Sequence, residues 1–453
     1  MVVLRFVDDK IYLGDEEIIV DYFLNLENRN ITEINGTCPP NVKHLNLLGN
    51  QITTLFNEQG EPFDIGNLDF LNLVNNQIIS LFNETGEQFN TCNLTVLNLE
   101  NNRLTSLFNE QGVQFRTGKL GELHLQINDI TSLFNEKGEQ FITGNLEELN
   151  LTYNQITSLF NEQGVPFNTG NLIHLNLENT RIRSLFNGQE VFFKTGKLDS
   201  LNLENNRITS LFNKEGEQFD TGNLKDFYLL NNQIPSLFNE QGEQFITGSI
   251  EHMNLADNQI TSLFNQDGIP FNTGKLEYMN LADNQISSLF NQKGEQFDIG
   301  TLDFLNLENN RLTSLFNQKG EPFNLGKLKY LHLEDNEITS LFNEKGEQCN
   351  TDNLENVYLI NNQITSLFNE KGLSFNTGNI GYLDLENNKI TSVSNKDGIQ
   401  FNINGLKYLN LTYNPIKLLI PDYPEIKYIK DFITYQEKLA NYIRDKKVKS
   451  ARK

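Results

Sequence analysis

The chain of 453 residues has no Trp, ten Pro and three Cys, and no apolar run nears the ~20 residues that a membrane-spanning helix needs. Membrane insertion is therefore not expected. Cys38, Cys92 and Cys349 stand far apart, which argues against a disulfide framework and for a reducing compartment. Basic residues are scarce: 36 Lys and Arg face 59 Asp and Glu, a formal charge of -23. Non-specific affinity for nucleic acid or an anionic membrane needs clustered Lys and Arg, so with this balance neither is expected. Arg5, Asp8 and Asp9 interrupt the amino terminus before any signal-peptide length is reached, and a cytoplasmic protein is expected. Cys-x-x-Cys, His-Glu-x-x-His and phosphate-cradling Gly loops are all missing, so no metal, cofactor or enzyme activity is expected.

What is abundant is one sentence, repeated. In Leu-x-Leu-x-x-Asn-x-Ile the Asn recurs every 26 residues, from Asn50 through Asn414, with Thr180 standing in once. That makes fifteen registers without insertion or deletion. A looser copy, Leu24-Asn25-Leu26, precedes them by 21 residues and has Arg29 where the Asn would fall. Each Leu-x-Leu is too short to cover its own apolar side or to pair its own backbone, whereas stacked copies do both as a parallel ladder. The Asn then turns inward where the chain leaves the strand and satisfies backbone groups that a buried bend leaves open.

The pattern Leu-x-x-Leu-x-Leu-x-x-Asn-x-Ile, as in "LDFLNLVNNQI" (Leu68 to Ile78) and "LEELNLTYNQI" (Leu146 to Ile156), resembles the leucine-rich repeat family in its internalin-like form, here lengthened to 26 residues. The resemblance covers roughly residues 41–420. It implies a β-rich solenoid with a curved parallel sheet on its concave face, and a protein–protein interaction scaffold or effector.

The return segment carries two Phe columns, Phe56 through Phe368 and Phe63 through Phe401, which use 26 of the 33 Phe and are expected as core spines. Between them Gly60 and its equivalents mark a position needing φ > 0, so a turn or short hairpin is expected there. Residues 1–40 are read as an amino-terminal cap, with a hairpin in "RFVDDKIYLGDEEIIV" and the degenerate first repeat. Residues 41–420 are the fifteen repeats, and 421–453 a capping helix plus a basic, solvated tail. The helix is expected to present Ile426, Ile429, Ile433, Ala440 and Ile443 as its apolar stripe, with Pro424 in its first turn. The repeat at 175–200 is off-pattern: Thr180 replaces Asn, and Glu190 replaces the turn Gly while Gly188 appears nearby. Relaxed drift or a local change of curvature would account for it.

Variation is concentrated elsewhere. Four outward columns flank the strand Leu residues: one position before the first, one between the two, and two after. Over fifteen repeats these columns contain no Lys or Arg, thirteen acidic residues and all five His. Ten of the fifteen residues between the two Leu are Asn. Toward the carboxyl end the first column reads Tyr278, Phe304, Tyr330, Asn356, Tyr382, Tyr408, an aromatic track. Tyr offers contact area at low entropic cost, and an acidic field favours a basic partner. The expected partner-binding set is Glu204, Tyr228, His252, Tyr278, Phe304, Glu308, Tyr330, His332, Glu334, Tyr358, Tyr382, Glu386 and Tyr408, on a monomer that binds a basic protein. The alternatives are an exported surface or adhesion protein, and a structural or decoy array without a specific ligand.

Overall fold

The computed structural model describes residues 2–7, 9–418, 420, 424 and 426–451, excluding the side chains of 440, 443 and 445–451. Asp8 of the hairpin, the side chains of Ala440 and Ile443 in the helical stripe, and the last two residues of the tail lie outside this description. The chain forms two compact units, 1–233 with 248–250 and 234–247 with 251–453.

The first unit begins with β1 (Val2–Val7), β2 (Lys10–Leu13), β3 (Glu16–Ile18), β4 (Phe23–Asn25) and β5 (Ile31–Gly36). The expected hairpin is β1 with β2, and it is extended to a four-stranded sheet of order β3-β2-β1-β5, in which β5 runs parallel to β1. Strand β4 joins a parallel ladder. The ladder continues through β6 (His44–Asn46), β7 (Phe70–Asn72), β8 (Val96–Asn98), β9 (Glu122–His124), β10 (Glu148–Asn150), β11 (His174–Asn176), β12 (Ser200–Asn202) and β13 (Asp226–Tyr228). Leu24 pairs with Leu45 despite the short spacing. Where Arg29 replaces the Asn, Asn50 Oδ1 accepts from both Arg29 N (3.0 Å) and Ile31 N (2.9 Å).

The second unit holds β14 (His252–Asn254), β15 (Tyr278–Asn280), β16 (Phe304–Asn306), β17 (Tyr330–His332), β18 (Asn356–Tyr358), β19 (Tyr382–Asp384), β20 (Tyr408–Asn410) and α1 (Ile429–Ala451). Its strands are also parallel and in register, Met279 on Leu305 on Leu331.

Every ladder strand is only three residues long because the chain bends at the second Leu, and the Asn makes that bend possible. Asn102 Nδ2 donates to the carbonyls of Leu99 in its own rung and Leu73 in the rung before, both at 3.0 Å. Its Oδ1 accepts from Ile78 N at 3.0 Å. One amide thus fastens two rungs and stays 7% exposed. Thr180 does less. Its hydroxyl lies 2.8 Å from both the Leu177 carbonyl and Asn206 Oδ1, but it has no second donor for Leu151 and no acceptor for Ile156 N. Thr180→Asn restores two buried hydrogen bonds and is expected to stabilise the first unit by about 1–2 kcal/mol. An unchanged urea midpoint for the variant would contradict this.

The return segment is a tight hairpin, as Phe56 faces Pro62 across an antiparallel bridge and Gly60 N donates to the Asn57 carbonyl at 2.9 Å. Gly60 has φ +80°. In the off-pattern repeat Glu190 adopts φ 64° in its place, keeps its N–H bond to Asn187, and holds Lys214 Nζ at 3.3 Å. The geometry there is that of the other hairpins, and Gly188 does not take over the turn. The inner Phe column is fully buried, Phe89 through Phe297 at 0% exposure.

Helix α1 corrects the stripe read from the sequence. It starts at Ile429, with Asp431 Oδ2 accepting from Lys427 N (3.2 Å) and Tyr428 N (3.1 Å), so Pro424 precedes the helix. Ile426 is buried, but among the described side chains of the helix the buried ones are Phe432, Tyr435 and Leu439, while Ile433 is 44% exposed. Phe432 meets Phe401 edge to face at 6.3 Å, and Gln436 Nε2 donates to the Phe401 carbonyl. The backbone of the basic tail, read as a solvated end, is helical through Ala451.

Candidate functional site

The residues flanking each strand Leu lie on the face opposite the core, the first three columns mostly half-buried and the last column mostly exposed. Two of the four columns have a structural reason for their composition. Each of the ten Asn between the Leu residues accepts from the backbone N–H two residues on, as Asn306 Oδ1 does from Glu308 N at 2.8 Å. The amide ladder is therefore a row of local caps on the bend, which Asp384 reproduces with Glu386 N at 3.0 Å. The last column is left-handed, with φ near 50° at Asn309, Asp283 and Asp335. Asn and Asp tolerate that region better than other non-Gly residues, so Asp257, Asp283 and Asp335 owe their identity first to backbone conformation.

The aromatic residues have no such role. His124, Tyr228, His332 and Tyr358 interrupt the Asn row and give up its cap. In the second unit these and the first column merge into a continuous band. His252 meets Tyr278 edge to face at 6.2 Å. Tyr278 stacks on Phe304 at 4.3 Å, and Phe304 touches both Tyr330 (6.4 Å) and His332 (5.1 Å). His332 stacks on Tyr358 at 4.2 Å, Tyr358 tilts onto Tyr382 at 5.0 Å, and Tyr382 stacks on Tyr408 at 4.0 Å with an interplanar angle of 3°. The band steps from the first column to the second at His332 and Tyr358, around Asn356, and returns at Tyr382. Tyr330 is the most open of the tyrosines in the band, at 38% exposure.

Carboxylates line the band. Glu334 is 8% exposed, with Oε1 3.0 Å from His332 Nδ1 and no hydrogen-bond partner at Oε2. Burial raises the Glu308 carboxyl above the usual carboxylate range, and the charges of Glu334, Asp283 and Asp335 raise it further, against His332. Asp384 is also raised, chiefly by burial, although bonds from Glu386 N–H and Asn410 pull the other way. Asn410 Nδ2 reaches Glu386 Oε2 at 2.8 Å. Burial likewise pushes up the phenols of Tyr382 and Tyr408.

Of the thirteen residues expected on this surface, Glu204 and Tyr228 belong to the first unit, Tyr228 in register with Asn202 on β12. The other eleven belong to the second. The first unit has its own aromatic group, which was not anticipated: Tyr22 and Phe23 lie 5.2 and 6.4 Å from His44, which contacts Phe70 at 5.7 Å. The alternation of Phe23-Leu24-Asn25 contained that signal.

No protein-family model matches the chain, and no curated protein does. Solved structures do. A leucine-rich repeat protein of Leptospira interrogans is 24% identical, with a TM-score of 0.60 over 88% of this chain and 91% of that one. YopM from Yersinia enterocolitica is 19% identical, with a TM-score of 0.53 over 90% and 80%. The chain has the leucine-rich-repeat fold. In leucine-rich-repeat terms the half-buried columns are the exposed side of the repeat strands, and the Phe hairpins are the return side of a long repeat. Among the described residues no helix is long and apolar enough to cross a membrane.

Proposed function

We propose that the chain is a non-enzymatic, monomeric cytoplasmic scaffold whose leucine-rich repeats, closed by residues 1–40 and 421–453, bind a basic protein on the open strand face. One observation carries this reading: an unbroken band of rings bordered by half-buried carboxylates, on columns from which Lys and Arg are absent. The Asn caps and left-handed positions show what the fold requires at these columns, and the aromatic residues depart from it. Stacked rings offer a preordered, low-entropy contact surface, and uncompensated carboxylates attract positive charge.

The test is capture of partners by the wild type and by a variant carrying Glu204→Lys, Glu308→Lys and Glu334→Lys. The variant is expected to lose a basic partner that the wild type retains, and the same proteins captured by both would sink the reading. The interaction should also weaken as the pH falls. Glu308 and Asp384 have raised pKa values, so they protonate above the pH at which an exposed carboxyl would, and a cationic partner loses its counter-charges there. For the empty fold the sign is opposite: with the folded pKa above the unfolded one, these groups favour the fold most at low pH, and that contribution is lost as pH rises through the raised values.

A further inference from the structure

Within the second unit, one place on the open face has a geometry that specifies more than a positive partner. Glu308 and Glu334 stand at equivalent positions after β16 and β17, one rung apart, which for a parallel ladder is ~4.8 Å. Glu334 is 92% buried by its 8% exposure, and its Oε2 has no donor. A buried carboxylate oxygen without a partner is costly, and its neighbours, Glu308 and Asp335, are themselves acidic. His332 satisfies only Oε1. Beside it the Phe304 ring stacks on Tyr278 through one face and is tilted by 39° to His332 at 5.1 Å.

We infer that Glu308 and Glu334 are the seat of a single arginine side chain from a bound peptide segment, which lies along the aromatic band. This rests on the protein-binding reading above. A guanidinium is planar, carries five N–H donors in a fixed fork, and spans two carboxylates on neighbouring rungs while its face lies against an aromatic ring. A lysine ammonium is a compact, strongly hydrated point charge without the planar fork that pairs two carboxylates in fixed geometry and lies flat on a ring. Among the described residues no three His, Cys, Asp or Glu converge closely enough to hold a metal ion, which leaves an organic cation as the fitting occupant. When the Glu334 side chain turns toward the open face its orphaned oxygen gains a donor, and the mutual repulsion with Glu308 is relieved.

The experiment measures fluorescence anisotropy of labelled hexa-arginine, with hexa-lysine as the comparison, at physiological salt. The full-length wild type is set against Glu308→Gln with Glu334→Gln, and against Glu344→Gln with Glu370→Gln, which removes two charges from exposed hairpin tips. The seat predicts about tenfold weaker hexa-arginine binding in the first variant, less than twofold change in the second, and hexa-lysine several-fold weaker than hexa-arginine on the wild type. Removing the buried charges should leave the melting temperature equal or higher, so lost binding cannot be ascribed to unfolding; a lower melting temperature would itself contradict the strained, unpaired carboxylate. Equal losses in the two variants, or equal affinity for the two peptides, overturns the seat. Tyr330→Ala with Tyr382→Ala separates the two readings. If this pair weakens hexa-arginine binding while the Gln pair does not, the seat falls and the binding face stands, and if neither does, both fall.

Discussion

Asn102→Ala is expected to destabilise the first unit by about 3–5 kcal/mol. The Leu73 carbonyl accepts from both Asn76 Nδ2 and Asn102 Nδ2, and the Leu99 carbonyl from both Asn102 Nδ2 and Asn128 Nδ2, so each keeps one bond when Asn102 is truncated. Ile78 N keeps none, because Asn102 Oδ1 is its acceptor inside a buried bend. An orphaned buried N–H costs about 1–3 kcal/mol, and the two half-lost carbonyls add roughly 1 kcal/mol each. Asn102→Asp should be no milder, since it keeps the acceptor but replaces two donors with charge aimed at carbonyls. Urea unfolding measures the loss, and faster amide exchange at Ile78 locates it. A shift below 1 kcal/mol would mean that the Asn is a passenger. Because each repeat touches only its neighbours, the defect should lower the cooperativity of the transition as well as its midpoint.

Phe167→Ala is expected to cost a similar 3–5 kcal/mol for a different reason. Phe167 is fully buried, and Phe134 meets it edge to face at 6.4 Å. Truncation removes the transfer energy of a whole ring, opens a cavity between rungs that the backbone ladder prevents from collapsing, and deprives Phe134 of its partner. Phe167→Leu should recover about half. Calorimetry of the two variants is the check, and a Phe167→Ala loss equal to that of an exposed turn substitution would show that the spine does not carry the core. The sequence already contains one truncation of this column: Cys349 takes the place of a Phe, is 5% exposed, and has its thiol pKa pushed up to about 12 by burial.

Most of the rung was legible because its constraints are local and repeated. The alternation at Leu71-Asn72-Leu73, the in-phase Asn, the two Phe columns and Gly60 each state one requirement, and repetition removes the noise from that statement. The Thr of the "NTG" segment was missed: Thr169 Oγ1 donates to the Thr195 carbonyl of the next rung at 3.2 Å and is buried, but Thr beside Gly reads as an ordinary turn. Asp283 and Asp335 count among the thirteen acidic residues of the outward columns, and a left-handed φ leaves no mark in a sequence beyond a preference for Asn and Asp. Ile433 was placed inward on helical spacing alone, whereas the register of α1 is fixed by Phe432 meeting Phe401 some thirty residues earlier.

By itself the sequence determined the rung: its length, the residues that face inward, the bend and the return, because backbone hydrogen bonding and apolar burial act within one repeat and against its identical neighbour. Only the tertiary structure decided which outward residues touch. Rings 26 residues apart, such as Tyr382 and Tyr408, stack at 4.0 Å, and His332 and Tyr358 carry the band across to another column. It also decided which carboxylate lies buried without a donor. Those properties belong to pairs of rungs that differ, and they depend on side-chain directions and burial that a repeating pattern does not encode.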